Sequence, residues 1–202
     1  MRSVSLTAAI FAIVLAFPAI AMAQGKVKSE PVAPGAAPAE AARNGDRAPA
    51  EPISDLSRLT EKARKTRERI LEAAKTGDIG KVATVMQSNE MMPVFSFGGE
   101  RNPVEFWKSS YPDSEGIEVL AILIEILEMP FVHADKGTPQ EMFVWPYFYA
   151  MPLAKLTPEQ KVELFRLVTG TDWREMSDFG AYIFFRVGIS PDGVWHFFVA
   201  GD

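Results

Sequence analysis

The sequence predicts an α+β domain in which a mostly antiparallel sheet of four or five strands packs against helices. Several capped segments carry apolar residues at helical spacing. Two shorter stretches, rich in aromatic and β-branched residues, are typical of strands. The end of the chain, "GAYIFFRVGISPDGVWHFFVAGD", has the turn chemistry of a β-hairpin.

The first 23 residues have the three parts of a secretory signal peptide. Arg2 gives the positive start, residues 4–20 form an apolar run, and Ala21-Met22-Ala23 is a small-x-small cleavage motif. An uncleaved anchor is the alternative, but the run is short beside the roughly 20 apolar residues of a spanning helix. We therefore expect cleavage near Ala23 and a periplasmic or secreted protein.

The chain of 202 residues contains no cysteine. A secreted location would permit disulfides, so their absence means that an ordinary hydrophobic core must supply the stability. No later segment is long and apolar enough to cross a bilayer. We expect no integral membrane span after cleavage.

Residues 24–55 differ in composition from the rest. They include eight alanines and five prolines, with no aromatic residue. Such a segment buries too little apolar surface to offset the entropy of ordering. We predict a disordered Ala/Pro-rich tether over 24–55, followed by a single globular domain over 56–202.

Charge is unevenly distributed within that domain. Residues 56–75 hold seven Lys or Arg against three Asp or Glu, whereas residues 76–202 hold nine against 18. An acidic body argues against nucleic acid as a partner. The basic segment could contact phosphate, a wall polymer or the protein's own acidic body, and the last needs no ligand.

Residues 53–89 predict two helices. Asp55 or Ser57 can cap the first, Gly77 can end it in a left-handed conformation, and Asp78 can cap the second. Their apolar residues recur at helical spacing: Leu56, Leu59, Ala63, Ile70 and Ala74, then Ile79, Val82, Val85 and Met86.

The middle of the chain predicts a short strand, a loop and one central helix. Val94–Phe97 reads as the strand, and residues 103–116 as one helical turn and a loop. Residues 117–128, with Ser114 as cap and Pro130 as stop, are apolar on most sides, so this helix should be largely buried.

Glu118 and Glu125 share one side of the central helix. A carboxylate pair suggests acid/base chemistry. However, seven residues of helix place them roughly 10 Å apart along the axis. A narrow solvated stripe is the simpler interpretation.

Two strands and two helices should follow. Phe131–Ala134 and Glu141–Tyr149 read as strands joined by an Asp-Lys-Gly turn, and Pro146 should make the second an edge or bulged strand. Residues 158–168 are the clearest helix, with a Thr-x-x-Gln capping box before them and Gly170 as stop. Residues 171–179 predict a short helix that ends at Gly180.

The C-terminal hairpin is predicted to pair Ser190 with Val194 around Pro191-Asp192-Gly193. This register places Gly188 opposite His196 and gives the hairpin two different faces. The apolar face, which should be core, holds Ile183, Phe185, Val187, Ile189, Trp195, Phe197 and Val199. The mixed face holds Tyr182, Phe184, Arg186, His196 and Phe198.

Low-specificity candidates for a ligand site fall in two places. Tyr182, Arg186 and His196 on the mixed hairpin face could line a pocket, although a half-buried mixed face under a helix or loop is the simpler explanation. Trp145 and Tyr147 could form an aromatic platform for a glycan, peptide or apolar ligand, or could pack in the core.

His133 is the remaining candidate, because the chain has only two histidines. No local spacing of metal ligands accompanies it, and GxSxG, Walker and GxGxxG motifs are all missing. We predict no metal site and no cofactor, and the sequence favours a non-enzymatic protein without deciding the question.

The order of elements resembles the cone-shaped fold of ketosteroid isomerase and nuclear transport factor relatives. The likeness rests on the helix pair around "KTGD" and on the closing "GVWHFFVAGD", and covers about half the domain. It implies a curled sheet around a pocket, in proteins that catalyse, bind or dimerise. The helix over 158–168 departs from that pattern, and no catalytic residue carries over.

The tail "GAYIFFRVGISPDGVWHFFVAGD", with "VWPYF" upstream, is similar to uncharacterised secreted proteins of Gram-negative bacteria. This second resemblance implies a location and no activity.

Three hypotheses of function follow. The first is a periplasmic, non-enzymatic module that binds an envelope component, such as a cell-wall polymer, or a partner protein. The second is a small-molecule carrier or enzyme with a pocket at Tyr182, Arg186 and His196. The third is a structural domain that forms a homodimer.

Overall fold

The computed structural model describes residues 50–201, and over this range it has the predicted α+β fold. The signal peptide predicted over 1–23 and most of the tether predicted over 24–55 lie outside the described residues. The helices are α1 Glu61–Lys75, α2 Ile79–Gln87, α3 Pro103–Ser110, α4 Ile117–Glu128, α5 Pro158–Leu164 and α6 Gly170–Phe179; the strands are β1 Val132–Ala134, β2 Met142–Trp145, β3 Arg186–Ile189 and β4 Trp195–Val199.

The four strands form one antiparallel sheet in the order β1-β2-β3-β4. Apolar cores lie on both of its faces. One core joins the sheet to α1, α2, α3 and α4, and the other joins it to α5, α6 and the short 3₁₀ turns after β2. Burial on both faces explains why the strands are apolar almost throughout.

Backbone pairing includes a residue that lies before the predicted domain boundary at residue 56. The backbone of Ile53 pairs with that of Phe131 through hydrogen bonds of 2.8 and 3.0 Å. Residues 53–55, assigned to the tether from composition, are therefore part of the fold.

The first helix begins later than predicted. Asp55 caps only a 3₁₀ turn, Leu56–Arg58, while the Thr60 hydroxyl accepts from the Ala63 amide and caps α1. The end of α1 is as predicted, because Gly77 is left-handed and Asp78 caps α2.

The predicted strand Val94–Phe97 is wrong. Only Val94 pairs with the sheet, through hydrogen bonds to His196 and Phe198 of 2.9 and 2.8 Å. Gly99 then turns the chain away with φ 82°. The following segment is more helical than expected, since α3 runs for eight residues from its Asn102 cap.

The central helix α4 is buried as predicted, with Gly116 rather than Ser114 at its N-cap. Glu118 is exposed, whereas Glu125 is partly exposed and forms an ion pair of 3.4 Å with Arg166. Five apolar side chains of α4 are buried: Val119, Leu120, Leu123, Ile126 and Leu127.

The second strand is shorter than the predicted Glu141–Tyr149. It ends at Trp145, before a cis Trp145–Pro146 bond, and Tyr147–Ala150 forms a 3₁₀ turn. Proline has no amide proton for the ladder, so pairing stops there. The strand is also internal, between β1 and β3, rather than at an edge.

The predicted helix over 158–168 ends early. Its Thr157–Gln160 capping box is confirmed, but α5 stops at Leu164. Gly170, predicted to be a stop, is the first residue of α6, because Thr169 and Asp172 form a second capping box. The predicted end at Gly180 is confirmed, with φ 88°.

A β-bulge changes the predicted register of the hairpin. Ser190 pairs with Val194 as expected, but Gly188 lies opposite Phe197, so His196 has no partner in β3. The extra residue reverses the remaining side chains. Phe198 packs in the core against α1–α4, while Phe197 and Val199 pack on the opposite face, contrary to the prediction.

None of the helices within residues 50–201 combines the length and apolarity needed to cross a bilayer.

Candidate functional site

A cavity of about 230 Å³ opens beside the C-terminal half of α3, where five aromatic rings converge. We call it the aromatic pocket. Its walls come from the segment after Val94, from α3 and the turn that follows it, and from both ends of the C-terminal hairpin. The lining residues are Phe95, Ser96, Phe97, Phe106, Ser110, Tyr111, Phe185 and Ala200.

The inner wall of the aromatic pocket is anchored in the core. Phe95 is buried and packs against Phe106 and Trp107, with ring centroids 5.7 and 6.0 Å apart. Phe185 packs against Phe198 at 5.0 Å, and Phe198 in turn meets the fully buried Trp107 at 5.9 Å. Because these rings hold one another, this wall is preformed.

The helix α3 presents two lining residues by its geometry. Asn102 caps the helix, and its side chain accepts from the amides of Val104 and Glu105. Phe106 and Ser110 are four residues apart, so they lie on the same side of the helix. Both therefore face the cavity.

The outer wall is a turn that carries an exposed ring. The side chain of Phe97 is 50% exposed. Its turn is held by Ser96, whose hydroxyl donates to Glu100 and accepts from the Gly98 amide at 2.9 Å. The hydrogen bond from Ser96 lowers the pKa of Glu100 and keeps this carboxylate charged.

Tyr111 supplies the only titratable side chain among the lining residues. It is partly buried at the C-terminal end of α3, where its amide bonds to Trp107. Burial raises its pKa, and the negative charges of Glu118 and Asp172 raise it further. The phenol therefore stays neutral at physiological pH and can donate a hydrogen bond.

The three candidates from the hairpin do not line this pocket. Tyr182 is buried and donates to the Phe185 carbonyl at 2.9 Å. Arg186 is 3% exposed and donates to the Gly201 carbonyl at 2.7 Å. Both polar groups therefore bond to nearby backbone.

His196 is partly buried in the bulge of β4. Burial lowers the pKa of the imidazole, and the negative charge of Asp192, which raises it, offsets only part of this effect. The prediction placed His196 opposite Gly188 on the mixed face. Because of the bulge, Phe197 takes that position instead.

The rings of Trp145 and Tyr147 lie in the interior. Both are at most 1% exposed, and the Tyr147 hydroxyl donates to Glu163 at 2.7 Å. An open platform needs accessible ring faces, so these two residues follow the core interpretation.

His133 contacts Glu141 across the β1–β2 turn, with 2.6 Å between Nε2 and Oε1. The other carboxylate oxygen accepts from the Gly137 amide at 2.9 Å. These two hydrogen bonds, the backbone one first, lower the pKa of Glu141. The arrangement closes the turn.

Within residues 50–201, no three His, Asp or Glu side chains lie close enough together to hold a metal ion.

Comparison with protein-family models, curated proteins and solved structures finds no match for this chain. The two resemblances noted from the sequence therefore stay predictions.

Sequence reasoning missed the residues of the aromatic pocket, apart from placing Phe185 in a core. A signal was present in "FSFGGERNPVEFWKSSYP", where aromatic residues alternate with Gly, Pro, Asn and Ser. In the structure Phe95 and Trp107 of this segment are buried, whereas Phe97 is half exposed. The convergence of the lining rings on Phe185, about 80 residues away in the chain, depends on the tertiary fold.

Proposed function

We propose that this chain is a non-enzymatic binding module of the cell envelope, and that it binds its ligand in the aromatic pocket. The proposal rests on one observation, a cavity walled by five aromatic rings of which Phe97 is half exposed. Mostly apolar cavities with a few polar groups are the common form of ligand site in proteins. The envelope location rests on the signal peptide predicted over residues 1–23.

The chemistry of the lining favours binding over catalysis. General acid/base catalysis works best with a pKa near the working pH. Tyr111 has its pKa raised away from that range. Ser96 does donate to Glu100, but the lowered pKa of this carboxylate makes it a weak base for activating a hydroxyl.

The volume of the pocket limits what it can hold. Sites for drug-sized ligands measure about 300–1,000 Å³. The aromatic pocket, at about 230 Å³, suits a smaller group, such as a head group or a single side chain. The preformed inner wall and the exposed Phe97 ring suit a ligand that enters past the outer turn.

A pair of neighbouring serines tests the proposal. Ser109 and Ser110 are both exposed near the end of α3, but only Ser110 lines the cavity. We expect Ser110→Phe to fill the mouth of the pocket and Ser109→Phe to leave it open. Both substitutions add the same ring to the same exposed helix.

The measurement is a small-fragment screen by ligand-observed NMR on residues 24–202. Aromatic and branched aliphatic fragments should bind the wild type and Ser109→Phe, and lose binding to Ser110→Phe. Equal binding to both variants, or no binding to the wild type, would contradict the assignment of the site.

A further inference from the structure

The aromatic pocket lies in an acidic part of the molecule. Residues 95–118, which supply six of the eight lining residues, contain five carboxylates and two basic side chains. The carboxylates are Glu100, Glu105, Asp113, Glu115 and Glu118.

Three carboxylates are tied to the lining by separate interactions. Glu100 accepts a hydrogen bond from Ser96 in the outer wall. Glu118, at the start of α4, and Asp172, on α6, both act electrostatically on Tyr111. The pocket thus has negative charge at two of its sides.

The single basic side chain of α3 lies on the other side of the helix from the pocket. Lys108 lies two residues from Phe106 and two from Ser110, so it projects from the opposite side of the helix to these lining residues. It is exposed there. Its charge is therefore directed away from the cavity.

Aromatic faces and carboxylates both favour a positively charged guest. The ring quadrupole attracts a cation placed over its face, and alkylated ammonium groups in aromatic cages are the best-known case. A neighbouring carboxylate adds Coulomb attraction that disfavours an anion. A cavity of about 230 Å³ suits one compact alkylammonium group.

We infer that the ligand of the aromatic pocket is a small soluble organic cation whose alkylated ammonium group stacks against Phe97 and Phe106. This inference rests on the proposed binding function. It adds the chemical class of the ligand, which the apolar lining alone would leave open.

Choline and 3,3-dimethylbutan-1-ol are suitable probes, because they share one shape and differ in the positive charge. Each is titrated into residues 24–202 and followed by ¹H–¹⁵N NMR. We expect choline to bind about fivefold or more tightly than the neutral alcohol, in the range of a partly exposed cation–π contact. The signals of Ser96, Phe97 and Ser110 should shift.

A matched pair of double variants separates pocket charge from net charge. Glu100→Gln with Glu118→Gln removes two carboxylates beside the pocket, whereas Glu68→Gln with Glu72→Gln removes two exposed ones from α1, which contributes no lining residue. The first pair should weaken choline binding about threefold or more. The second should leave it within error of the wild type.

The outcomes distinguish this inference from the function on which it rests. If the alcohol binds at the pocket as tightly as choline, the cation is overturned and the apolar binding site stands. If both double variants weaken choline binding to the same extent, the effect comes from the net charge of the protein and not from carboxylates beside the pocket. That result overturns the inference. If no probe or fragment shifts pocket signals, both proposals are wrong.

Phosphatidylcholine vesicles provide the last arm of the test. A soluble ligand predicts that the protein binds free choline and does not sediment with the vesicles. Sedimentation abolished by Ser110→Phe would assign the same chemistry to a lipid head group and would overturn the soluble source.

Discussion

Gly188 faces Phe197 across the β3–β4 ladder so closely that there is no room for a side chain at position 188. A Cβ atom added there would lie 2.4 Å from the ring of Phe197 and 2.4 Å from the sulfur of Met142. The β-bulge at His196 creates this contact, because it brings Phe197 rather than His196 opposite the glycine.

Gly188→Ala should therefore destabilise the protein. We expect a loss of about 2 kcal/mol or more in the free energy of unfolding, since overpacking a tight core forces neighbours to shift. Urea unfolding followed by tryptophan fluorescence gives the value. Gly170→Ala is the matched control, because its added Cβ meets nothing within 4 Å and it should be neutral or stabilising. Equal effects at both sites would argue against the bulged register.

Arg67 joins α1 to the end of α4. Its Nε and Nη2 atoms donate to the Leu127 carbonyl at 3.0 and 2.7 Å, and its side chain is buried. Arg67→Met leaves this carbonyl, which belongs to the unpaired last turn of a helix, without these two donors. We expect a loss of about 1–3 kcal/mol in unfolding free energy. Arg64 is exposed on the same helix, so Arg64→Met should change the free energy of unfolding by less than about 0.5 kcal/mol. A similar loss in both variants would show that the hydrogen bonds of Arg67 are not its cause.

Tyr147 and Glu163 connect the turn after β2 to α5. The hydroxyl of Tyr147 is buried and donates to the partly exposed carboxylate at 2.7 Å, and burial, followed by Glu163, raises the pKa of the phenol. Tyr147→Phe removes this hydrogen bond and should cost about 1–2 kcal/mol of unfolding free energy. The loss stays moderate because the partly exposed Glu163 can still be hydrated. A double-mutant cycle with Glu163→Ala, which removes the acceptor, measures the coupling. Additive single effects would show that the hydrogen bond contributes nothing.

His196 should make stability depend on pH in a defined window. Its pKa in the fold is lowered by burial, so between this value and the unfolded value near 6.5 the unfolded chain binds more protons. The free energy of unfolding should therefore fall as pH drops through about 6.5 and level off below the folded pKa. His196→Gln should flatten this part of the profile, measured by urea unfolding at closely spaced pH values. Parallel profiles for the two proteins would contradict the burial of the imidazole.

The parts of the fold that the sequence predicted depend on local chemistry. The Thr157–Gln160 capping box, the left-handed Gly180 and the turn between Ser190 and Val194 each involve a few neighbouring residues. Such signals survive in any tertiary context, because they satisfy backbone groups within the segment itself.

The register of the last hairpin could not be predicted in the same way. Apart from His196, strand β4 consists of the apolar residues Trp195, Phe197, Phe198 and Val199, so its two faces differ little in polarity. A one-residue shift then carries no visible penalty in the sequence. His196, the one polar residue in the strand, was given a partner in β3, whereas the structure places it in the bulge.

The predicted boundary between α5 and α6 was wrong for a different reason. Gly170 was read as a helix stop, although "VTGTDW" also contains the Thr169–Asp172 capping box. The glycine indicated a helix end, whereas the capping box indicated a helix start, and in the structure a new helix starts there. Leu164 of α5 and Met176 of α6 then pack in the same core.

The aromatic pocket itself depends on contacts that are distant in sequence. Phe97 and Phe106 come from one segment, while Phe185 and Ala200 come from the two ends of the hairpin. No spacing rule connects them. The sequence could suggest aromatic ligand contacts in general, but the candidates it offered were Trp145 and Tyr147, which the fold buries.

The most direct test of this account is a substitution of the exposed ring. Phe97→Ala and Phe179→Ala remove rings of 50% and 49% exposure, and only Phe97 lines the pocket. The measurement is the dissociation constant of choline for both variants and the wild type, from ¹H–¹⁵N NMR titrations. The account predicts binding weakened about threefold or more by Phe97→Ala and unchanged by Phe179→Ala. Unchanged binding in Phe97→Ala, or an equal loss in both, would contradict it.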